Sequence, residues 1–72
     1  MMASTKINIC EDVTAIPVEH GYVLQTVDGN NIYQVYVDDV QHWIDSIESK
    51  EIKAVELQTF IRHAGKKIRN KV

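Results

Sequence analysis

A chain of 72 residues, 44% hydrophobic and 25% charged with a net charge of −2, has room for one small folded domain and excludes a second lobe or a largely disordered polymer. The single cysteine, Cys10, excludes an internal disulfide and fits a reducing, cytoplasmic setting. There is no run of about 18 apolar residues and no apolar stretch behind a basic start in MMASTKINIC, so neither a membrane span nor a signal peptide is expected.

A core this small supplies only about 3–5 kcal/mol without a disulfide, metal or partner, so self-association as a homodimer, or a protein partner, is expected from size alone. The charge is also divided. Residues 1–49 carry Lys6 against Glu11, Asp12, Glu19, Asp28, Asp38, Asp39, Asp45 and Glu48, a sum of −7. Residues 50–72 carry Lys50, Lys53, Arg62, Lys66, Lys67, Arg69 and Lys71 against Glu51 and Glu56, a sum of +5.

In chain order, KINIC (Lys6 to Cys10) alternates Ile7 and Ile9 with polar residues, the period of a short half-buried strand. VTAIPV (13–18) has the β-branched content of extended chain, and Pro17, which donates no ladder hydrogen bond, argues against a central strand there. Tyr22 to Val27 and Ile32 to Val37 are rich in Val, Ile, Tyr and Thr and flank Asp-Gly-Asn-Asn, whose residues tolerate the positive φ of a tight turn. This is a β-hairpin. Its alternation assigns Val23, Val27, Tyr33, Val35 and Val37 to a buried face and Gln25, Thr26 and Gln34 to the other, with Tyr36 exposed beside Tyr22.

Asp38, with Gln41 three residues on, approximates a capping box for a helix running to about Glu48. Val40, Trp43, Ile44 and Ile47 form its apolar stripe. After Ser49-Lys50, the spacing of Ala54, Leu57, Ile61, Ala64 and Ile68 predicts a second amphipathic helix from about Lys53 to Ile68, with Gly65 a point where it ends or bends. Ile52 and Val55 fall off that stripe and are candidates for a separate contact surface. The expected architecture is α+β over residues 1–72: a small antiparallel sheet, a β-hairpin plus one or two N-terminal strands, followed by two amphipathic helices packed on one face. Residues 1–5 and 69–72 are expected to be loosely held.

The other sheet face then lacks a cover, and the exposed residues rank the functions. Tyr22, Tyr36, Ile52 and Val55 are the candidate partner-binding residues of a non-enzymatic interaction module, since exposed aromatics give large contact area at small entropic cost. Such a module would bind, and so modulate or inhibit, a protein partner. Arg62, Lys66, Lys67, Arg69 and Lys71 are the alternative, a basic C-terminal helix that neutralises phosphates in a nucleic-acid-binding regulator; a lysine-rich helix terminus meeting the helix dipole accounts for the same residues. The acidic half offers a weaker mirror image, a carboxylate surface imitating DNA.

Cys10, His20, His42 and His63 are too scattered in sequence for a zinc site. No phosphate-binding glycine loop, nucleophile elbow or other catalytic signature occurs, so no cofactor, no metal and no enzymatic activity are expected. In layout alone, a small sheet with helices on a short acidic chain, the protein resembles the accessory proteins encoded by phages and mobile elements, among them inhibitors of bacterial defence systems. That likeness is one of size and shape rather than of motif.

Overall fold

The computed structural model describes residues 6–69. Five antiparallel strands lie side by side in chain order: β1 (Ile7–Cys10), β2 (Val13–Val18), β3 (Gly21–Asp28), β4 (Asn31–Val37) and β5 (Lys66–Arg69). Helices α1 (Gln41–Glu48) and α2 (Ala54–Ala64) connect β4 to β5 and pack on one face of the sheet. The molecule measures 36 × 32 × 18 Å; its thinnest dimension accommodates one sheet and one layer of helices. The described residues thus have the expected α+β plan, with a fifth strand added after the second helix. None of their helices is long and apolar enough to cross a membrane.

Two tight turns fix the sheet. Val18 pairs with Gly21 across Glu19-His20, and Asp28 pairs with Asn31 across Gly29-Asn30. Gly29 carries a positive φ of 63°, which the favoured two-residue hairpin turns use and glycine adopts without steric cost. A two-residue loop pairs odd-numbered with even-numbered positions, and this corrects the expected faces. Val23 opposes Tyr36 and Val27 opposes Ile32, whereas Leu24 opposes Val35 and Thr26 opposes Tyr33. The helix-covered face therefore carries Tyr22, Leu24, Thr26, Tyr33, Val35 and Val37, and Val23 and Val27 point away from it. Pro17 is accommodated at the end of β2, because β1 pairs only with the Val13–Ala15 part of that strand.

Val13, Ala15, Leu24, Val40, Leu57 and Ile61 form the buried core. Trp43, Ile44, Ile47 and Ile52 pack around it from the helix layer, and Ile7, Ile9 and Cys10 from β1. The apolar stripe predicted for α1 thus faces the sheet. Its start differs from the expected capping box. Val40 turns into the core, the helix begins at Gln41, and Asp39 Oδ1 accepts the Gln41 backbone N–H at 3.1 Å. The Gln41 amide reaches forward to Asp45 instead of back to Asp38.

At the other end of α1 the chain leaves through paired bonds, Lys50 N–H to the Ile47 carbonyl and Glu51 N–H to the Ser46 carbonyl, with Lys50 at a φ of 65°. This is the Schellman arrangement, built on a residue that normally would be glycine. In the first turn of α2, Glu56 Oε1 accepts the Lys53 backbone N–H at 2.8 Å.

α2 stops at Ala64, earlier than the predicted Ile68. Gly65 lies so close to β4 that a Cβ would run into the Gln34 carbonyl, and this close approach lets the chain pass directly from helix to β5. Lys66 to Arg69 then pair with Gln34 to Asn31. The expected loose terminus thus begins in a strand at Arg69, and residues 1–5 and 70–72 lie outside the described residues.

Candidate functional site

The face of the sheet opposite the helices is built from alternate strand residues in three rows. Ile16, Val23 and Tyr36 form the upper row. Asn8, Thr14, Gln25, Gln34 and Lys66 form the middle row, and Val27, Ile32 and Ile68 the lower one. Val18 extends the upper end beside Gly21. No other described element covers this face: Tyr36 is 51% exposed, Val27 47%, Val18 43% and Ile68 41%. Lys66 is the only charged residue among the paired strand positions on this face, in a chain with 18 Asp, Glu, Lys and Arg residues. Exposed apolar area gathered in one place with charge excluded from it is unusual for a face that meets only water.

Two details hold these side chains in place. The Tyr36 hydroxyl donates to the His20 carbonyl, and the ring lies over Gly21, where a Cβ would meet the Tyr36 hydroxyl at 2.6 Å. The missing side chain at Gly21 is thus the space that the tyrosine ring occupies. In the middle row the Gln34 amide donates to Gln25 Oε1 at 2.7 Å, a cross-strand bond that orients both side chains.

The four residues singled out for partner binding do not share a surface. Tyr36 is on the outer face, but its cross-strand neighbour is Val23 and not Tyr22. Tyr22 opposes Val37 on the covered face, half-buried against the core, because the two-residue loop exchanges the parity of the strands. Ile52 packs on the core between the helices, and Val55, 57% exposed, stands on α2. On the same helix, Phe60 stacks on Trp43 with ring centroids 5.0 Å apart, and His42 meets Trp43 edge-on. That aromatic group ties α1 to α2, and it lies in the helix layer rather than on the outer face.

The basic residues are not on one helix. Arg62 is in the last turn of α2, where its guanidinium donates to Thr59 Oγ1 at 3.2 Å. Lys66 and Lys67 are exposed on the edge strand β5 and alternate between its two sides, with Arg69 at the end of the same strand. Lys71 lies outside the described residues.

Cys10 and the three histidines stand on separate elements: β1, the β2–β3 turn, α1 and the end of α2. No group of three or more His, Cys, Asp or Glu among the described residues is arranged to hold a metal ion. Burial pushes the Cys10 thiol above its ordinary pKa, and the neighbouring Glu11 and Asp12 add to the shift. This is the opposite of the activation that a cysteine nucleophile needs.

Sequence reasoning missed Ile16, Val18, Val23, Val27, Ile32 and Ile68 as members of one surface. The signal was present in the Gly29-Asn30 turn, since a loop of two residues fixes which positions share a face. Comparison with family models, with curated proteins and with solved structures finds no match.

Proposed function

We propose that this protein is a non-enzymatic protein-binding module whose contact surface is the outer face of its sheet. The observation that supports the reading is the composition of that face: apolar upper and lower rows, an uncharged glutamine pair between them, and a single lysine. A solvated face of an antiparallel sheet ordinarily alternates toward charged and polar residues. Here the polar burden is carried by turns and helices, and the strand positions facing outward are those expected at the centre of an interface, where charge is depleted and tyrosine enriched. By occupying a partner's surface the module would modulate or inhibit it.

A photo-reactive benzophenone amino acid replacing Tyr36, with the same probe at exposed Glu48 on α1 as control, tests the reading in cells. Protein adducts formed at position 36 and not at 48 are the expected result. Equal labelling at both positions, or none, contradicts it.

A second reading is favoured by one specific observation, the basic edge strand. Lys66, Lys67 and Arg69 lie along β5, with Arg62 just before it in α2. A phosphate backbone following that edge would be neutralised there, and binding would fall steeply between about 50 and 200 mM salt. Fluorescence anisotropy of mixed-sequence DNA and RNA at those two salt concentrations tests it. Salt-sensitive binding that Lys66→Glu with Lys67→Glu removes would favour this reading over the first.

A further inference from the structure

We infer that the occupant of the outer face is a second copy of this chain, packed sheet on sheet about a two-fold axis that runs along the strands between β3 and β4. The inference rests on the outer face being the contact surface, and three observations carry it beyond that. The first is size. About that axis only β2 to β5 overlap their copies, and four strands about 4.8 Å apart and about 20 Å long give a face of about 400 Å². Two such faces together bury about 800 Å², the size of a weak, transient association. That area suits a concentration-dependent dimer.

The second is the order of the rows. An apolar row, a polar row and an apolar row are self-complementary under any two-fold lying in the plane of the sheet, either along or across the strands, because the middle row then falls on its own copy. Apolar side chains meet apolar side chains, and the glutamines meet glutamines. A patch that complements itself in this way is what an isologous dimer requires.

The third observation selects the axis. A two-fold across the strands would place Lys66 over the Lys66 of the other copy, two like charges facing each other in a closing interface. A two-fold along the strands, between β3 and β4, places Lys66 over Thr14, Val23 over Tyr36, and Gln25 over Gln34. Within one chain the Gln34 amide already donates to Gln25 Oε1, leaving the Gln25 N–H groups and the Gln34 Oε1 free. With Gln25 seated over the partner copy's Gln34, the free donors of each copy meet the free acceptor of the other, and the four side chains close a ring of amide hydrogen bonds at the centre. Strands of the two sheets then run nearly aligned, one of the two common packings of sheets.

The two axes predict opposite effects of a single substitution. Under the axis along the strands, Thr14→Glu puts a carboxylate opposite Lys66 twice per dimer and tightens dimerisation by about threefold to tenfold, the sum of two partly exposed ion pairs. Adding Lys66→Glu to that variant makes the pair repulsive and reverses the gain. Under the axis across the strands, Thr14→Glu faces itself and weakens the dimer.

Sedimentation equilibrium of both variants measures this, with isotope-filtered nuclear Overhauser contacts between Val23 methyls of one wild-type copy and the Tyr36 ring of another as a check that needs no substitution. Tightening by Thr14→Glu together with Val23–Tyr36 intermolecular contacts is the expected result. Weakening by Thr14→Glu, or no intermolecular contact in a sample that sediments as a dimer, overturns the arrangement. A wild-type chain that stays monomeric at millimolar concentration overturns the second copy as occupant. Adducts to a different protein at position 36 would then leave the outer face standing as the contact surface, and no adducts would remove both.

Discussion

Replacing Tyr36 by alanine removes the largest side chain on the outer face. The residue is 51% exposed. A tyrosine offers about 200 Å², so about 100 Å² of each copy goes from water to contact on association, worth about 2.5 kcal/mol at about 25 cal/mol per Å² as an upper bound. Ordering side chains and desolvating polar atoms offsets part of that gain, and realising about 1 kcal/mol per copy still gives about 2 kcal/mol per dimer, roughly a 30-fold weaker Kd. The fold loses less. The ring's cross-strand contact with Val23 is worth up to about 1 kcal/mol, so the monomer remains folded. Tyr36→Phe keeps the ring and removes only the hydroxyl that reaches the His20 carbonyl, and its Kd stays within about threefold of the wild type. Sedimentation equilibrium of the three proteins, with far-ultraviolet circular dichroism to check the fold, makes the comparison. A Kd for Tyr36→Ala within about threefold of wild type would refute the placement of Tyr36 at the contact.

Further predictions concern the frame that holds the face. Thr26 is 1% exposed, and its hydroxyl has no hydrogen-bond partner among the described residues. Thr26→Val keeps the shape and removes a desolvated polar group, so it stabilises the fold by about 1 kcal/mol, measured as a higher urea midpoint; a lower midpoint would show that the hydroxyl is bonded in solution. Lys50→Gly relieves the left-handed backbone at the end of α1 and stabilises by about 0.5–1 kcal/mol in the same assay, and an unchanged or lower midpoint contradicts the cap geometry. Gly65→Ala drives a methyl against the Gln34 carbonyl and costs about 1–3 kcal/mol, seen first as faster amide exchange in β5. Alkylation of Cys10 at neutral pH is slower than that of an exposed cysteine, because its raised pKa lowers the thiolate fraction, and the rate climbs only as the pH passes that raised value. Glu11→Gln with Asp12→Asn restores part of the rate, and a full recovery would show that burial is not the larger cause.

Local chemistry made much of this fold legible. The Asp-Gly-Asn-Asn turn between β-branched runs announced the hairpin, and Val40, Trp43, Ile44 and Ile47 announced the face that α1 buries. What failed were relations that depend on one residue of register or on distant pairing. Grouping Val23 and Val27 with Tyr33 and Val35 keeps odd positions together, and the two-residue loop joins odd to even. That parity moved Tyr22 into the covered layer and brought Val23 and Val27 out.

β5 was read as the end of a helix because Ala64 and Ile68 continue the spacing of α2. The pairing that ends the helix lies on the edge of β4, and it needs the bare backbone of Gly65 to reach it. Four basic and apolar residues carry no strand signal of their own. The candidate site was legible only in Tyr36 and in the expectation that one sheet face would lack a cover, since a surface made of three rows from five strands exists only once the register is fixed.

The claim that the outer face is where this protein meets its partner, a second copy of itself, is tested most directly by the backbone amide spectrum of the uniformly ¹⁵N-labelled chain recorded on serial dilution. Concentration-dependent shifts centred on Val23, Gln25, Ile32, Gln34 and Tyr36, with α1 and α2 unmoved, are the expected result. Shifts centred instead on Val55 and Phe60 of α2, or a spectrum independent of concentration up to the millimolar range, would contradict it.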